Sequence, residues 1–246
     1  FLLNNDTHVD PSALRRVVEV AEAHPDLGLL GCHLRQMDGS TYVVVGFDWI
    51  WGRTRVARAL QSHGAQWIAV DAVSGCGMLV RRAVIERVGL LDEKYFLYFE
   101  DQDWCVRARE AGFGCALVSN AIVWHHVAAT TLGSKQTPRA LMSYYLTRNN
   151  ILFMQRHASR GAFLWFLPCF LGRIMWTGIR ILGSGVVAGR RNVSPRLRAL
   201  LAGLWDGLLG RGGPGSWPCL DGDAGAPRTG PSASGSHRSD FTERIR

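Results

Sequence analysis

No two of the six cysteines form a C-x-x-C pair. Cys32, Cys76, Cys105, Cys115, Cys169 and Cys219 are scattered along 246 residues, which argues against a disulfide framework or a structural zinc site and reads as a reducing compartment. A P-loop is missing too: the small-residue run SGCGML (74–79) has the wrong spacing and no lysine follows it. No signal peptide is legible. The chain opens on the apolar run FLLNND without an initiator methionine, so the expectation is a chain whose beginning is missing. Acidic residues are nearly absent from 135–211, which holds 12 basic residues and one acidic residue, Asp206. Residues 1–134 hold 12 basic and 15 acidic residues, so the net charge of +8 belongs mainly to the second segment. Those basic residues lie among Leu, Trp and Phe and form no nucleic-acid motif, so the expected partner is an anionic membrane surface and not nucleic acid.

The chain is 47% hydrophobic and 20% charged, enough apolar content for a packed core. Residues 1–3 read as a strand end. Asp10 as N-cap and Pro11 in the first turn start a helix running to His24, with Leu14, Val17, Val18 and Ala21 at helical spacing. LGLLGCHL (27–34) reads as a buried strand, and 35–66 as a variable loop region. Then follow a strand, a small-residue turn and a strand over 67–82, and a short helix ended by Gly89. A helix over 101–111 is closed by Gly112, and 114–126 reads as strand, turn and short strand. Strands alternating with helices imply an α/β layer fold.

Residues 138–158 read as helical. The apolar run 162–189 is nearly long enough to cross a bilayer, which takes about 20 residues. Arg173 and Arg180 interrupt it seven residues apart on one helix face, and Pro168 and five glycines weaken it as one straight helix. A helix lying in the membrane interface fits this pattern best, with a span and a soluble core pair as the alternatives. From Gly212 the composition turns to Gly, Pro, Ser and Asp and reads as a disordered tail.

Four stretches can carry chemistry, and each has a plain structural reading beside the functional one. In LLNNDT, Asp6 follows a strand end, where α/β sheets place ligands; it suits a divalent cation or equally an Asx turn. SGCGML allows a ligand close to the backbone or simply makes a tight turn. In YFEDQDW (98–104), Glu100, Asp101 and Asp103 suit a helix start, and Asp103 can pair with Arg107 four residues on. That reading leaves the aromatic residues around them unexplained; such rings also wall sugar sites and keep a general base partly dry. In VWHHV, His125 or His126 can ligate a metal, pack, or face solvent.

Taken in order, FLLNNDT, the run from Val70 to His126 and YYLTRNNILFMQRH resemble the family 2 glycosyltransferases of GT-A fold, above all the rhamnosyltransferase-like bacterial members. The resemblance touches most of 1–157. It implies a Rossmann-like mixed sheet flanked by helices, truncated at the N-terminal side, as a catalytic portion over 1–134. A basic, helical, membrane-associating segment over 135–211 and a tail over 212–246 would follow.

The resemblance also implies a nucleotide-sugar donor (a dTDP- or UDP-sugar) bound through Mn²⁺ or Mg²⁺ at a D-x-D-like motif, here NND. Asn4 would take the first position, Asn5 the middle and Asp6 the metal-facing last one. An amide thus replaces the first carboxylate. Asp101 would be the catalytic base of an inverting transfer. Glu100 and Asp103 would hold acceptor hydroxyls, Trp104 would stack on a sugar ring, and Gly75, Cys76 and Gly77 would line the same pocket. His125, with His126 as second choice, would complete the metal site. The acceptor would be a cell-envelope or lipid-linked glycan at the cytoplasmic face of the membrane, with the enzyme peripheral to it. The alternative is a non-catalytic membrane-associated binding protein derived from such an enzyme.

Overall fold

The computed structural model describes residues 1–58, 64–125, 137–187 and 195–215. Its centre is a mixed sheet built on two long strands, β3 (Leu27–Gln36) and β8 (Gly114–His125), which run parallel. Short strands complete it: β1 (Leu2–Leu3), β2 (Thr7–Val9), β6 (Trp67–Val70) and β7 (Gly77–Val80). The order is β1-β7-β3-β8-β2, with β6 also on β8, and every pairing except β3–β8 is antiparallel. Helix α1 (Ala13–Ala23) covers one face, and α2 (Arg82–Val88) and α3 (Glu100–Glu110) cover the other. This is the GT-A type of α/β architecture that the resemblance implies.

The continuous apolar run of β3 follows from burial on both faces. Leu30, Cys32 and Leu34 pack with Val17 and Val20 of α1, while Leu29 packs with Val84 and Trp104 on the opposite side. At Gly28 an added Cβ would stand 2.6 Å from Val84 Cγ2, so a side chain there would push α2 off the sheet. In α1, Asp10 makes an Asx turn through the Ser12 amide (2.9 Å) instead of capping, and the helix begins at Ala13. Its buried stripe is therefore Ala13, Val17, Val20 and Ala21, and Leu14 stays exposed.

Two expectations change. The span 35–66 contains a hairpin, β4 (Val43–Asp48) and β5 (Arg53–Ala57), with Val43, Val44 and Phe47 buried. Gly46 and the arginine-rich second strand blur its alternation, so the pattern reads as a loop. The span 114–126 holds one strand, not two: β8 carries a bulge opposite Cys32 and His33, where the register moves from Val118 to Ile122.

A helical layer, α4 (Thr137–His157), α5 (Arg160–Val187) and α6 (Pro195–Leu208), follows the sheet. Ile151, Phe153, Phe166, Phe170 and Leu200 form its core and join Phe47, Tyr95 and Phe99 of the preceding α/β portion. α6 lies directly on α4, because a Cβ at Gly203 would come within 2.4 Å of the Tyr144 carbonyl. α5 runs through Pro168 as one helix. Its stretch Arg160–Gly183 is long and apolar enough to cross a membrane, and 17% of that window is buried. Arg173 turns inward, donating to the Trp51 carbonyl at 3.2 Å and lying over the Phe170 ring, so Arg180 alone of the expected pair is exposed. The tail read from Gly212 begins ordered, with the Gly213 amide donating to Lys94 O at 2.7 Å and the Gly215 amide to the Tyr145 hydroxyl at 3.0 Å. Its remainder from 216, the second histidine His126 and the residues at 188–194 lie outside the described residues.

Candidate active site

Four chain segments end at one place. The turn after β1 presents Asn4, Asn5 and Asp6, and the turn before β7 presents Gly75 and Cys76. The first turn of α3 brings Glu100 and Asp101, and the end of β8 brings His125. The pairing Thr7↔His125 fixes the first segment against the last, and Leu3↔Gly77 fixes it against the second.

Direct contacts link them. The Asn4 amide nitrogen donates to Cys76 Sγ at 3.2 Å, and Cys76 Sγ lies 4.0 Å from His125 Nε2. His125 Nε2 stands 3.2 Å from Asp6 Oδ1. On the other side the Gly75 amide donates to Asp101 Oδ2 at 3.1 Å, and the Gln102 amide donates to Oδ1 at 2.8 Å. Gly75 leaves room for this approach: a Cβ there would meet only Asp101 Cβ, at 3.7 Å.

The electrostatics are those of a partly dry acidic pocket. Burial, then the neighbouring Asp101 charge, pushes the Glu100 carboxyl up to about 7. Glu100 Oε2 is buried without a hydrogen-bond partner among the described residues. Burial also raises Asp101, opposed by the Gly75 and Gln102 amides. The Cys76 thiol is raised by burial and by the charges of Asp101, Asp6 and Glu100. A carboxylate with four lone-pair sites and two backbone donors keeps acceptor capacity for a substrate hydroxyl.

Three candidates stand elsewhere. Asp103 is fully buried, not open to an acceptor: it takes Arg107 Nε and His157 Nε2 at 2.7 Å each and the Tyr95 hydroxyl at 3.2 Å. Burial alone would raise it, but His157, Arg107 and Arg156 hold its carboxyl below the usual carboxylate range. Trp104 is a core residue packed near Leu29 and Val84, its indole N–H donating to the Gly89 carbonyl at 2.9 Å, so no sugar can stack on it. Gly77 is buried within the sheet, where a Cβ would meet Cys32 and Val123 at 3.3 Å; it allows strand packing and does not line the pocket.

Tyr42 was not legible as a site residue, whereas Tyr98 belongs to the aromatic residues read around the carboxylates. Both hydroxyls are raised, first by burial, then by Asp101 beside Tyr42 and by Glu100 beside Tyr98. Tyr42 lies just before β4, in the span that reads as a loop, and one tyrosine there gives no signal.

Asp6 and His125 are the residues of this cluster that could hold a metal. A hard oxygen beside an imidazole nitrogen suits a cation that keeps open positions for phosphate oxygens and water. Among the described residues no group of three His, Cys, Asp or Glu side chains has the geometry to hold a metal ion alone.

Residues 1–144 match the model of a family described as glycosyltransferase like family 2. An N-acetylglucosaminyl-diphospho-decaprenol L-rhamnosyltransferase of Mycobacterium tuberculosis is 28% identical over 184 residues, 68% of this chain and 59% of that protein. The low-salt glycan biosynthesis hexosyltransferase Agl10 of Haloferax volcanii is 27% identical over 143 residues, 57% of this chain and 42% of that protein. The chain thus matches about half the length of these relatives. With the family pattern covering well over half of the chain, and with its motif-bearing segments gathered at one pocket, this protein belongs to glycosyltransferase family 2.

Proposed function

We propose that the full protein transfers a sugar from a nucleotide-sugar donor to a lipid-linked or cell-envelope glycan acceptor, with inversion at the anomeric carbon. Asp101 is the base. Its carboxylate takes the acceptor hydroxyl proton, the acceptor oxygen bonds to the anomeric carbon, and the bond from that carbon to the diphosphate oxygen breaks. The electron pair leaves with the nucleoside diphosphate. A single displacement inverts the centre. Glu100, Tyr42 and Tyr98 border the acceptor. Asp6 and His125 would hold Mn²⁺ or Mg²⁺, which when bound neutralises charge on the leaving diphosphate.

The observation that carries this reading is the Gly75–Asp101 contact beside the Asp6–His125 pair, which joins base and donor-side residues in one pocket. The names of the relatives favour L-rhamnose as the first sugar to try and a polyprenyl-diphosphate sugar as the first acceptor. The exposed apolar stripe of α5, with Leu164, Trp165, Met175, Trp176, Ile179 and Leu182 and with Arg180 beside it, supports peripheral docking on an anionic, cytoplasmic-side membrane. The test is to assay the full-length protein against a panel of dTDP- and UDP-sugars with Mn²⁺ or Mg²⁺ and a lipid-linked acceptor. Sugar transfer lost on chelation and restored by either ion is the expected result. No transfer with any pair would leave a non-catalytic binding protein.

A further inference from the structure

The segment that delivers the two carboxylates is held in an unfavourable backbone. Phe96, Tyr98 and Phe99 have φ of 59°, 66° and 77°, a region that bulky side chains avoid. Phe99 is the N-cap of α3, without a side-chain cap, so Glu100 and Asp101 take their direction from this segment. Something outside it must hold it in place.

That support comes from α4. The Asn149 amide nitrogen donates to the carbonyls of Tyr95, Leu97 and Tyr98 at 2.8, 2.7 and 2.8 Å. Two N–H bonds serve three carbonyls, so one is shared. Asn149 Oδ1 accepts from Arg148 Nε at 2.9 Å, which fixes the amide orientation. Arg148 also donates to Tyr95 O at 3.0 Å and to Gly213 O at 2.7 Å, and it lies over the Tyr144 and Tyr145 rings. Both residues are buried, at 0% and 1% exposed. A buried asparagine whose amide N–H groups all go to carbonyls of one loop, oriented by a buried arginine that bonds the same loop at Tyr95 O, makes a splint.

We propose that Asn149, oriented by Arg148, is a positioning residue that sets the stance of Glu100 and Asp101 by clamping the left-handed segment before them. This rests on the glycosyl-transfer reading of the site.

The full-length protein supplies the test, with Asn149→Ala compared against Asn150→Ala. Asn150 is the next residue, also buried, and donates to Gly52 O at 2.8 Å on the hairpin instead of to the 95–99 segment. In Asn149→Ala, kcat should fall at least 30-fold, with donor KM changed less than threefold. The acid limb of the kcat profile should move to lower pH as the freed carboxylates regain water. Amide hydrogen exchange at 95–102 should accelerate. Asn150→Ala should lose thermal stability similarly, keep kcat within threefold and leave the acid limb in place. Adding Phe96→Gly, which accepts positive φ freely, should restore part of the lost kcat. Should Asn149→Ala fail to fold, Asn149→Gln, with its amide displaced by one methylene, should show the same limb movement and a smaller kcat loss.

Equal kcat losses in the two alanine variants with an unmoved acid limb would overturn the clamp. So would unchanged exchange at 95–102 in Asn149→Ala. If the wild-type protein transfers no sugar, the glycosyl-transfer reading fails alone. Exchange at 95–102 then decides the clamp: release in Asn149→Ala but not in Asn150→Ala upholds it, and no difference sinks it.

Discussion

The Gly75 amide and the Asp101 carboxylate meet at 3.1 Å across 26 residues of chain. This bond makes one unit of the turn before β7 and the start of α3. The bond comes from the Gly75 backbone, and a Cβ at that position would stand in ordinary contact with Asp101 Cβ, at 3.7 Å.

Asp101→Asn removes the proton acceptor while keeping the shape. The amide can still accept one of the two backbone N–H bonds; the lost bond, worth about 1 kcal/mol, is offset at neutral pH by removal of a charge that burial disfavours. Turnover should fall by roughly 10²–10⁴-fold, the usual contribution of a positioned base. Donor affinity, measured by calorimetry with the nucleotide sugar, should change less than threefold. Wild-type turnover in this variant would remove Asp101 from the mechanism.

Glu100 gives a pH signature. Its carboxyl is raised from the ordinary 4.5 to about 7 by burial and by Asp101. Between these values the folded state binds more protons than the unfolded one, so stability falls as pH rises through this window and levels off above it. Glu100→Gln cannot ionise. It should match wild type near pH 4 and be more stable by about 1–3 kcal/mol at pH 8, read from urea midpoints. An equal difference at both pH values would show that the carboxyl does not carry the proton.

Much of the catalytic portion was legible because its signals are local. Apolar runs bounded by turns marked β3 and β7, and Gly89 and Gly112 marked two helix ends, each with positive φ. The pocket was legible by the order of its motifs: Asn4, Asp6, Gly75, Cys76, Asp101 and His125 do meet. Asp103 and Trp104 misled because they share a helix turn with the candidate site. Helical rotation turns them inward, where His157, 54 residues away, and the Gly89 carbonyl claim them. No local pattern carries such a long-range partner. The β4–β5 hairpin was hidden for a related reason, since its order comes from packing on α4 and α5 through Phe47, Phe153 and the Arg173–Trp51 bond.

Asp103 should behave as a structural residue. Asp103→Asn leaves Arg107 largely buried without its counter-charge and His157 without its carboxylate partner, a loss of about 3–5 kcal/mol by chemical denaturation. Because its carboxyl is held below 3.8, its stabilising contribution is present at neutral pH and is lost as pH falls below that value. Acceptor KM should move less than twofold in whatever fraction stays folded. A selective rise in acceptor KM at unchanged stability would return Asp103 to the acceptor site.

The membrane reading rests on Trp165 and Trp176, exposed to 61% and 62% on α5. Eleven residues apart, they stand about three turns along one helix face, some 16 Å at 1.5 Å per residue. Each ring can settle at the headgroup level, and Met175, Ile179 and Leu182 fill the stripe beside them. Arg180 and the near absence of acidic side chains from 135–211 suit anionic lipid. Replacing both tryptophans by alanine should weaken partitioning onto phosphatidylglycerol vesicles at least tenfold, measured by sedimentation. Raising salt to 0.5 M should weaken the wild type further, by screening the basic residues without removing the apolar contact. Phosphatidylcholine vesicles should bind wild type less than anionic ones at low salt. Unaltered partitioning of the double variant would assign the stripe to a protein partner instead. Transfer to a soluble acceptor analogue should survive the double substitution, since neither ring contacts Asp101, while transfer to a vesicle-borne acceptor should fall with binding.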